Sequence, residues 1–333
     1  MAATGIPWVK WQAPMQRVLY ALIPVILQAV YLFGWRVIAL LAVVNAAAYL
    51  AELAFTRQWK QPVTSAVFVT GTLFTLSLPP TLPYWMAVVG VVFGVVFGKM
   101  VFGGFGKNVF NPALTGRAFI YVCFGNYMTA MWAEPVSGAG PLAGFARYTC
   151  DAITAATPGM LMKQGQTFSL LSEAIGNSSG TIGGAGVILP ALCGLFIIWK
   201  KAANYRIVVS GLAGYLVMQT ALWWSGAGKA VAPHHAITAG SFVIGVFFYA
   251  TDPVSASQTD PGRWVYGAFI GLMSSLITVF SAWPAGTMFA ILMANMLAPL
   301  IDMTVKSLTA GKKKPAGAPA RAAAKPAAAA AQG

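Results

Sequence analysis

Between residues 17 and 303 the chain is a succession of apolar blocks about twenty residues long, broken by short polar stretches. A block of that length crosses the ~30 Å hydrocarbon core of a bilayer as a single helix. The blocks are read at 17–34, 36–56, 62–79, 84–102, 111–132, 182–199, 205–224, 234–251, 264–283 and 286–303. The third, fifth, eighth and tenth are short or interrupted by Pro, Gly, Asn or Asp. Only 8 % of the 333 residues are charged and 58 % are hydrophobic, against roughly 25 % charged in a soluble domain, whose surface so few charges could not cover. The pattern predicts an all-α, polytopic membrane protein of about ten transmembrane helices.

The net charge of +14 invites a nucleic-acid reading, but no basic patch lies on a polar helix face, so the electrostatic footprint of nucleic-acid binding is missing. The cations sit instead at the ends of the apolar blocks. With ten spans and the N-terminus inside, the inner loops hold Lys10, Arg17, Arg57, Lys60, Lys99, Lys107, Lys200, Lys201, Arg206 and Arg263. The outer loops hold Arg36, Arg147, Lys163 and Lys229, and Arg117 lies within a span. By the positive-inside rule both termini are expected in the cytoplasm, with the long 133–181 loop outside. Most of the tryptophans fall near block ends, as an interfacial aromatic belt requires. From residue 312 the chain reads KKKPAGAPARAAAKPAAAAAQG, a composition that buries no core, and 304–333 is expected to be a disordered cytoplasmic tail. The N-terminus lacks an apolar region followed by a small-residue cleavage site, so no removable signal is expected. Cys123, Cys150 and Cys193 are widely spaced, with no CxxC, and offer no metal or iron–sulfur set.

A weak internal repeat runs through the blocks. VTGTLFTLSLPPTLPYW (69–85) parallels VIGVFFYATDPVSAS (243–257), aligning Gly71 with Gly245, Phe74 with Phe248 and Pro79 with Pro253. Gly90 and Gly94 then echo Gly267 and Gly271, and Phe110-Asn111 echoes Ala294-Asn295. Five helices repeated by five come out in inverted topology, in which broken helices of the two halves meet inside the membrane. The expected domain is 1–303, with repeat one at about 14–132, the outer loop at 133–181 and repeat two at 182–303.

Acids are scarce, seven in the whole chain, and Glu52, Asp252 and Asp302 lie in or at the ends of spans. A carboxylate in hydrocarbon is costly unless paired or hydrated, which makes all three candidates for an ion path. GGFGKN (103–108) has glycines but no preceding strand and no Lys-Ser/Thr pair, so it is not a phosphate loop. Its glycines suit irregular backbone lining a membrane cavity, and Asn111 and Asn295 are placed to bond backbone groups freed at helix breaks.

The outer loop contains Asp151-Ala152-Ile153-Thr154-Ala155-Ala156-Thr157. This stretch resembles the D-x-x-[ST]-G-A-T flavinylation motif of the NqrB/RnfD family, with Ala155 in place of the usual Gly. VFGGFGKNVFNPALTGRAF (101–119) and FYATDPVSAS (248–257) resemble two further segments of that family, and FAILMANMLAPLID (289–302) its closing helix. The resemblance covers about residues 13–303. It implies that a flavin transferase joins FMN through its phosphate to the hydroxyl of Thr157, with Asp151, Thr154 and Ala156 as the motif around it. It also implies riboflavin within or between membrane subunits, and partner subunits that carry the electrons to and from the flavin. A phosphoester needs an accessible hydroxyl, and small neighbours such as Ala155 and Ala156 admit a modifying enzyme.

The resemblance leaves two branches. The short N-terminus and PMQR…YLFGWR resemble the RnfD branch, which serves ferredoxin and NAD. NPALTGRAF and ATDPVSAS lean towards the NqrB branch, which serves NADH and quinone. The NqrB branch has a Gly-Gly pair before its first membrane glutamate, where this chain reads Ala48-Tyr49-Leu50-Ala51-Glu52. The expectation is therefore the RnfD-like component of an Rnf-type Na⁺- or H⁺-translocating complex in a bacterial inner membrane. The alternative is its NqrB-like counterpart in a Na⁺-translocating NADH:quinone oxidoreductase. A passive channel resembling urea transporters is the more distant one.

Overall fold

Where an apolar helix meets no polar break it can run the full width of a bilayer, and five helices among the described residues are long and apolar enough to do so. A computed structural model describes residues 7–136, 143–149, 157–164, 169–228, 230–239, 241–281 and 286–312. The five long apolar helices are α1 (Ala13–Phe33), α2 (Arg36–Gln58), α10 (Tyr205–Trp224), α13 (Asp260–Phe280) and α14 (Gly286–Lys312). Shorter helices lie between them: α3 (Ala66–Leu76), α4 (Tyr84–Val95), α5 (Pro112–Cys123), α6 (Gly125–Thr129) and α9 (Ile188–Trp199). Small helices α7 (Pro158–Lys163) and α8 (Leu170–Ile175) stand in the 133–181 segment, and α11 (Pro233–Thr238) and α12 (Phe242–Ile244) follow α10. The described strands are two dipeptides, β1 (Val9–Lys10) and β2 (Val63–Thr64), paired in parallel. The chain is an all-α, multi-pass membrane protein.

Its outer surface supports this as much as helix length does. Along α9, Ile188, Leu192, Leu195 and Trp199 form one helical stripe, each at least half exposed. An apolar stripe of that kind facing water would be an aggregation site; facing lipid it needs no cover.

The interrupted blocks differ from the sequence reading in a consistent way. Within the block at 62–79 the helix is only the eleven residues of α3, which Ser77 and Pro79-Pro80 end. The block at 111–132 splits into α5 and α6 at Phe124. The block at 234–251 becomes α11, α12 and a π-helical turn, Gly245–Tyr249. A second π-helical turn, Val96–Met100, ends α4. The tail also begins later than expected: α14 continues past 303 to Lys312, and 313–333 lie outside the described residues.

The glycines of the repeat sit at the tightest crossings. A Cβ on Gly94 of α4 would overlap the Pro112 carbonyl of α5, and one on Gly271 of α13 would overlap the Gly211 carbonyl of α10. Small residues let membrane helices approach at backbone contact, where dispersion and polar contacts replace a hydrophobic driving force. Asn111 and Asn295, also matched in the repeat, meet directly. The Asn111 backbone N–H donates to Asn295 Oδ1 at 3.1 Å, and Asn111 Nδ2 donates to the Tyr249 carbonyl at 3.2 Å. Asn111 Oδ1 accepts from the Ala113 backbone N–H and so caps α5, while Asn295 Nδ2 donates to the Ser255 carbonyl and to Tyr266 Oη.

Two opposite faces are defined by contacts to α1. At its start Arg17 donates to the Lys200 carbonyl at 2.7 Å, which places the 200–204 turn on that face. Towards its other end Gln28 donates to the Ile175 carbonyl, and just beyond it the Trp35 and Arg36 backbone N–H groups donate to the Arg147 and Tyr148 carbonyls. The described parts of 133–181 that make these contacts therefore lie on the face opposite Arg17 and Lys200.

Asn295→Leu strands the Asn111 N–H, the Ser255 carbonyl and Tyr266 Oη without their partner in a buried site. The expected cost is about 1–3 kcal/mol for each buried group left unsatisfied, seen as a lowered Tm of the detergent-solubilised chain. A Tm equal to wild type would show that this junction does not hold the two halves together.

Candidate functional site

Glu52 sits on α2 within two turns of its end and points inward, 1 % exposed. Its carboxylate meets Lys99 Nζ at 2.6 Å, and Lys99 is itself 2 % exposed, carried by the π-helical turn that ends α4. Thr64 completes the group: its hydroxyl donates to Glu52 Oε1 at 2.8 Å and accepts from Lys99 Nζ at 2.9 Å, and its backbone N–H donates to Oε1 at 3.0 Å. Lys99 is thus no loop cation, as its place beside the Gly-rich stretch suggested, but half of a buried ion pair. Both charges are desolvated together, which confines the cost that either would bear alone.

Asp252 follows the π turn Gly245–Tyr249, on the broken part of the second half. It accepts from Ser255 Oγ at 2.7 Å and from the Ser255 backbone N–H at 3.4 Å. Half-buried, it lines two cavities at once. One reaches Lys99, Thr70, Asn108 and Asn111. The other is a cleft of about 540 Å³ walled by the 198–207 turn and Arg263. Asp252 stands where the wide cleft gives way to the inner pocket.

Asp302, the third acid, is bound differently. It accepts from Ser257 Oγ, the Gln258 and Thr259 backbone N–H groups and Thr259 Oγ1, at 2.6–3.0 Å. Both oxygens are engaged in clasping the 257–259 loop to α14.

On the opposite face Thr157 immediately precedes α7. Its Oγ1 accepts from the Met160 backbone N–H at 3.3 Å, and the residue is 7 % exposed. An open hydroxyl was expected; the structure turns the residue inward, onto a pocket lined by Arg117, Tyr121, Trp132, Glu173 and Thr181 among others. Asp151, Thr154 and Ala156 lie outside the described residues. The pocket combines aromatic and apolar walls with a guanidinium and several hydroxyls. Glu173 on α8 is 4 % exposed, and burial, only partly offset by Ser178, pushes its carboxyl up to about 7.

The structure thus separates the expected residues into two clusters, Glu52 and Asp252 towards one face and Thr157 towards the other. Sequence reasoning did not single out Lys99, Glu173 or Thr64 for a role. Arg117 was visible in the sequence as a cation within a span, and that is the signal that could have found it. Arg117 lines both the Thr157 pocket and a smaller cavity beside Tyr249 and Ser77.

The family described as NQR2, RnfD, RnfE family matches residues 9–311. The chain is 38 % identical over 272 residues to the B subunit of Na(+)-translocating NADH-quinone reductase from Neisseria meningitidis serogroup B, covering 79 % of this chain and 65 % of that protein. It is 40 % identical over 258 residues to the protein of that name from Ectopseudomonas mendocina (75 % and 62 %). To the one from Klebsiella pneumoniae subsp. pneumoniae it is 37 % identical over 277 residues (80 % and 65 %). The chain therefore spans just under two thirds of the length of these relatives.

Because each charge is buried with the other, removing one should cost more than removing both. Glu52→Gln or Lys99→Met is expected to destabilise by about 3–5 kcal/mol, whereas the double variant recovers most of that loss. Denaturation of the purified chain in detergent reads the cycle. A double variant no more stable than its worse parent would mean that the two charges are not energetically coupled.

Proposed function

The chain belongs to the NQR2, RnfD, RnfE family, and from that premise we propose that it is the flavin-carrying membrane subunit of a redox-driven sodium pump of the NADH:quinone reductase type. The N-terminal segment and the missing Gly-Gly pair before Glu52 point to the Rnf branch. The relatives named for the B subunit of the Na(+)-translocating reductase weigh the other way, and they favour the alternative. The observation that carries the reading is Thr157: the residue that the motif singles out lines a pocket with aromatic walls, a guanidinium and hydroxyls.

In this reading FMN is joined through its phosphate to Thr157 Oγ1 by a flavin transferase, and it supplies one-electron transfer when bound. The chain's own residues do the rest. Thr157 anchors, the Tyr121 and Trp132 walls exclude water, and partner subunits bring the electron donor and acceptor. Riboflavin is assigned to the pocket on the opposite face, where Thr70, Asn108 and Asn111 offer hydroxyl and amide groups among apolar walls.

The ion path is assigned to Asp252 before the other two acids. Glu52 is neutralised by Lys99 and Asp302 is occupied by its loop. Asp252 alone of the three combines a membrane position with access to a wide cleft. Orientation follows the charge count, with Arg17, Lys200 and the cleft facing the cytoplasm and Thr157 facing out. Moving Lys99 from the loop count to the interior leaves that bias intact.

Expressed with a flavin transferase, the chain should give a fluorescent band on a denaturing gel that Thr157→Ala abolishes. Acid precipitation should leave FMN in the pellet and release riboflavin into the supernatant. A band that persists in Thr157→Ala moves the attachment elsewhere. In the purified complex, NADH-driven quinone reduction rather than ferredoxin-driven NAD⁺ reduction is expected. There Asp252→Asn should lower sodium-stimulated turnover at least ~10-fold, about 1.4 kcal/mol of barrier, while leaving the fluorescent band unchanged. Sodium stimulation equal to wild type would remove Asp252 from the path.

A further inference from the structure

Arg117 is a buried cation for which the described residues supply no counter-ion. It is 5 % exposed, on the second turn of α5. The ion pairs among the described residues are Lys99–Glu52, Arg206–Asp260 and Arg263–Asp260, and none includes it. Its Nε is buried with no hydrogen-bond partner. Leaving a charge so placed costs several kcal/mol even after relaxation, and a fold that bears this cost has an anion to put there.

The surroundings indicate which anion. Arg117 lines the pocket that Thr157 also lines. Tyr121 and Trp132 supply flat apolar wall, beside the small residues of 178–181. Glu173 is the acid on that pocket; burial pushes its carboxyl up to about 7, and it makes no ion pair with Arg117 among the described residues.

Resting on the reading of Thr157 as the flavin attachment point, we infer that Arg117 is the fixed counter-charge of that flavin. When one electron arrives from a reduced flavin or iron–sulfur centre on a partner subunit without a proton, the ring system gains one negative charge and the donor loses one. The guanidinium, already in place and already desolvated, balances the new charge without rearrangement. When the electron leaves for the next carrier, the charge goes with it and Arg117 is again unbalanced. Positive charge close to a flavin favours its reduced form, so Arg117 raises the potential at which Thr157-bound FMN accepts an electron. It tunes and positions; it takes no part in bond making.

The test is a redox titration of the covalently flavinylated full chain, co-expressed with a flavin transferase and followed by flavin absorbance. Arg117→Met should leave the fluorescent gel band and shift the first one-electron midpoint to more negative potential. At the wild-type midpoint the reduced-to-oxidised ratio should fall at least tenfold, which is about 59 mV for one electron. Arg117→Lys, which keeps the charge, should restore most of the shift. Thr181→Asp places a carboxylate on a residue that lines both Arg117 cavities, and it should lower the potential while leaving Arg117 in place. This variant carries the test should Arg117→Met fail to accumulate. A flavinylated Arg117→Met or Thr181→Asp protein with the wild-type midpoint overturns the inference. A wild-type chain that never acquires the fluorescent band overturns instead the attachment at Thr157, on which the inference rests.

Discussion

Backbone hydrogen-bonding groups freed inside a membrane have no water to turn to, and each costs several kcal/mol if left alone. The candidate residues Lys99 and Asp252 stand where helices stop inside the hydrophobic body, so their positions depend on how those groups are satisfied. The junction of Asn111 and Asn295 is the answer the fold adopts. One amide caps α5, takes up the Tyr249 carbonyl at the end of a π-helical turn, and is held by the other, which in turn binds the Ser255 carbonyl behind Asp252. A broken helix from each half is thereby fixed to the other half, and the residues at the breaks acquire defined positions. Tyr249 Oη adds a second tie by donating to the Leu73 carbonyl of α3 at 2.6 Å.

From that junction polar side chains extend towards both faces. On one side lie Asp252 and the Lys99–Glu52 pair; on the other lie Ser77, Arg117 and the Thr157 pocket. The two parts differ in electrical character. Towards Arg17 and Lys200 each buried charge has a partner or a cleft. Towards Thr157 a cation stands without one among the described residues. An electron carrier held against Arg117 and an ion held near Asp252 would each change the charge balance of a low-dielectric interior, where charges influence one another over longer distances than in water. On the proposed reading the arrangement would couple electron passage to ion passage without requiring the two to share a site.

The long helices were legible because twenty apolar residues in a row admit few other structures, and α1, α2, α10 and α13 fall within a few residues of their expected bounds. The glycine and asparagine matches between 69–111 and 243–295 were also visible in the letters, and their members occupy the crossings and the junction. The breaks themselves were not legible in detail. Whether a Gly- or Pro-containing apolar run continues as helix depends on what waits to take its freed carbonyls, and that partner can lie far along the chain, as Asn111 and Asn295 do. The same reason hid Lys99. Beside GGFGKN it reads as a loop cation, and only the approach of α2 carrying Glu52 makes its burial tolerable. Asp302 was read as a membrane acid, yet its place at the end of a span let a neighbouring loop bond both its oxygens.

Thr157 joins local motif and tertiary context most closely. The motif marks the hydroxyl by its neighbours in sequence, several of which lie outside the described residues, whereas its chemical setting comes from α5, from α8 and from the 178–181 turn. A hydroxyl on a lined pocket can do more than tether a cofactor. On the proposed reading it would fix one end of the flavin, while Arg117, forty residues earlier in the chain and lining the same pocket, would set the electrostatics around it. Covalent attachment by itself would hold a flavin near the membrane surface at whatever potential the solvent set. If the proposed attachment holds, a pocket that contains a cation without a counter-ion among the described residues would let the protein set that potential, as a carrier between a donor and an acceptor requires.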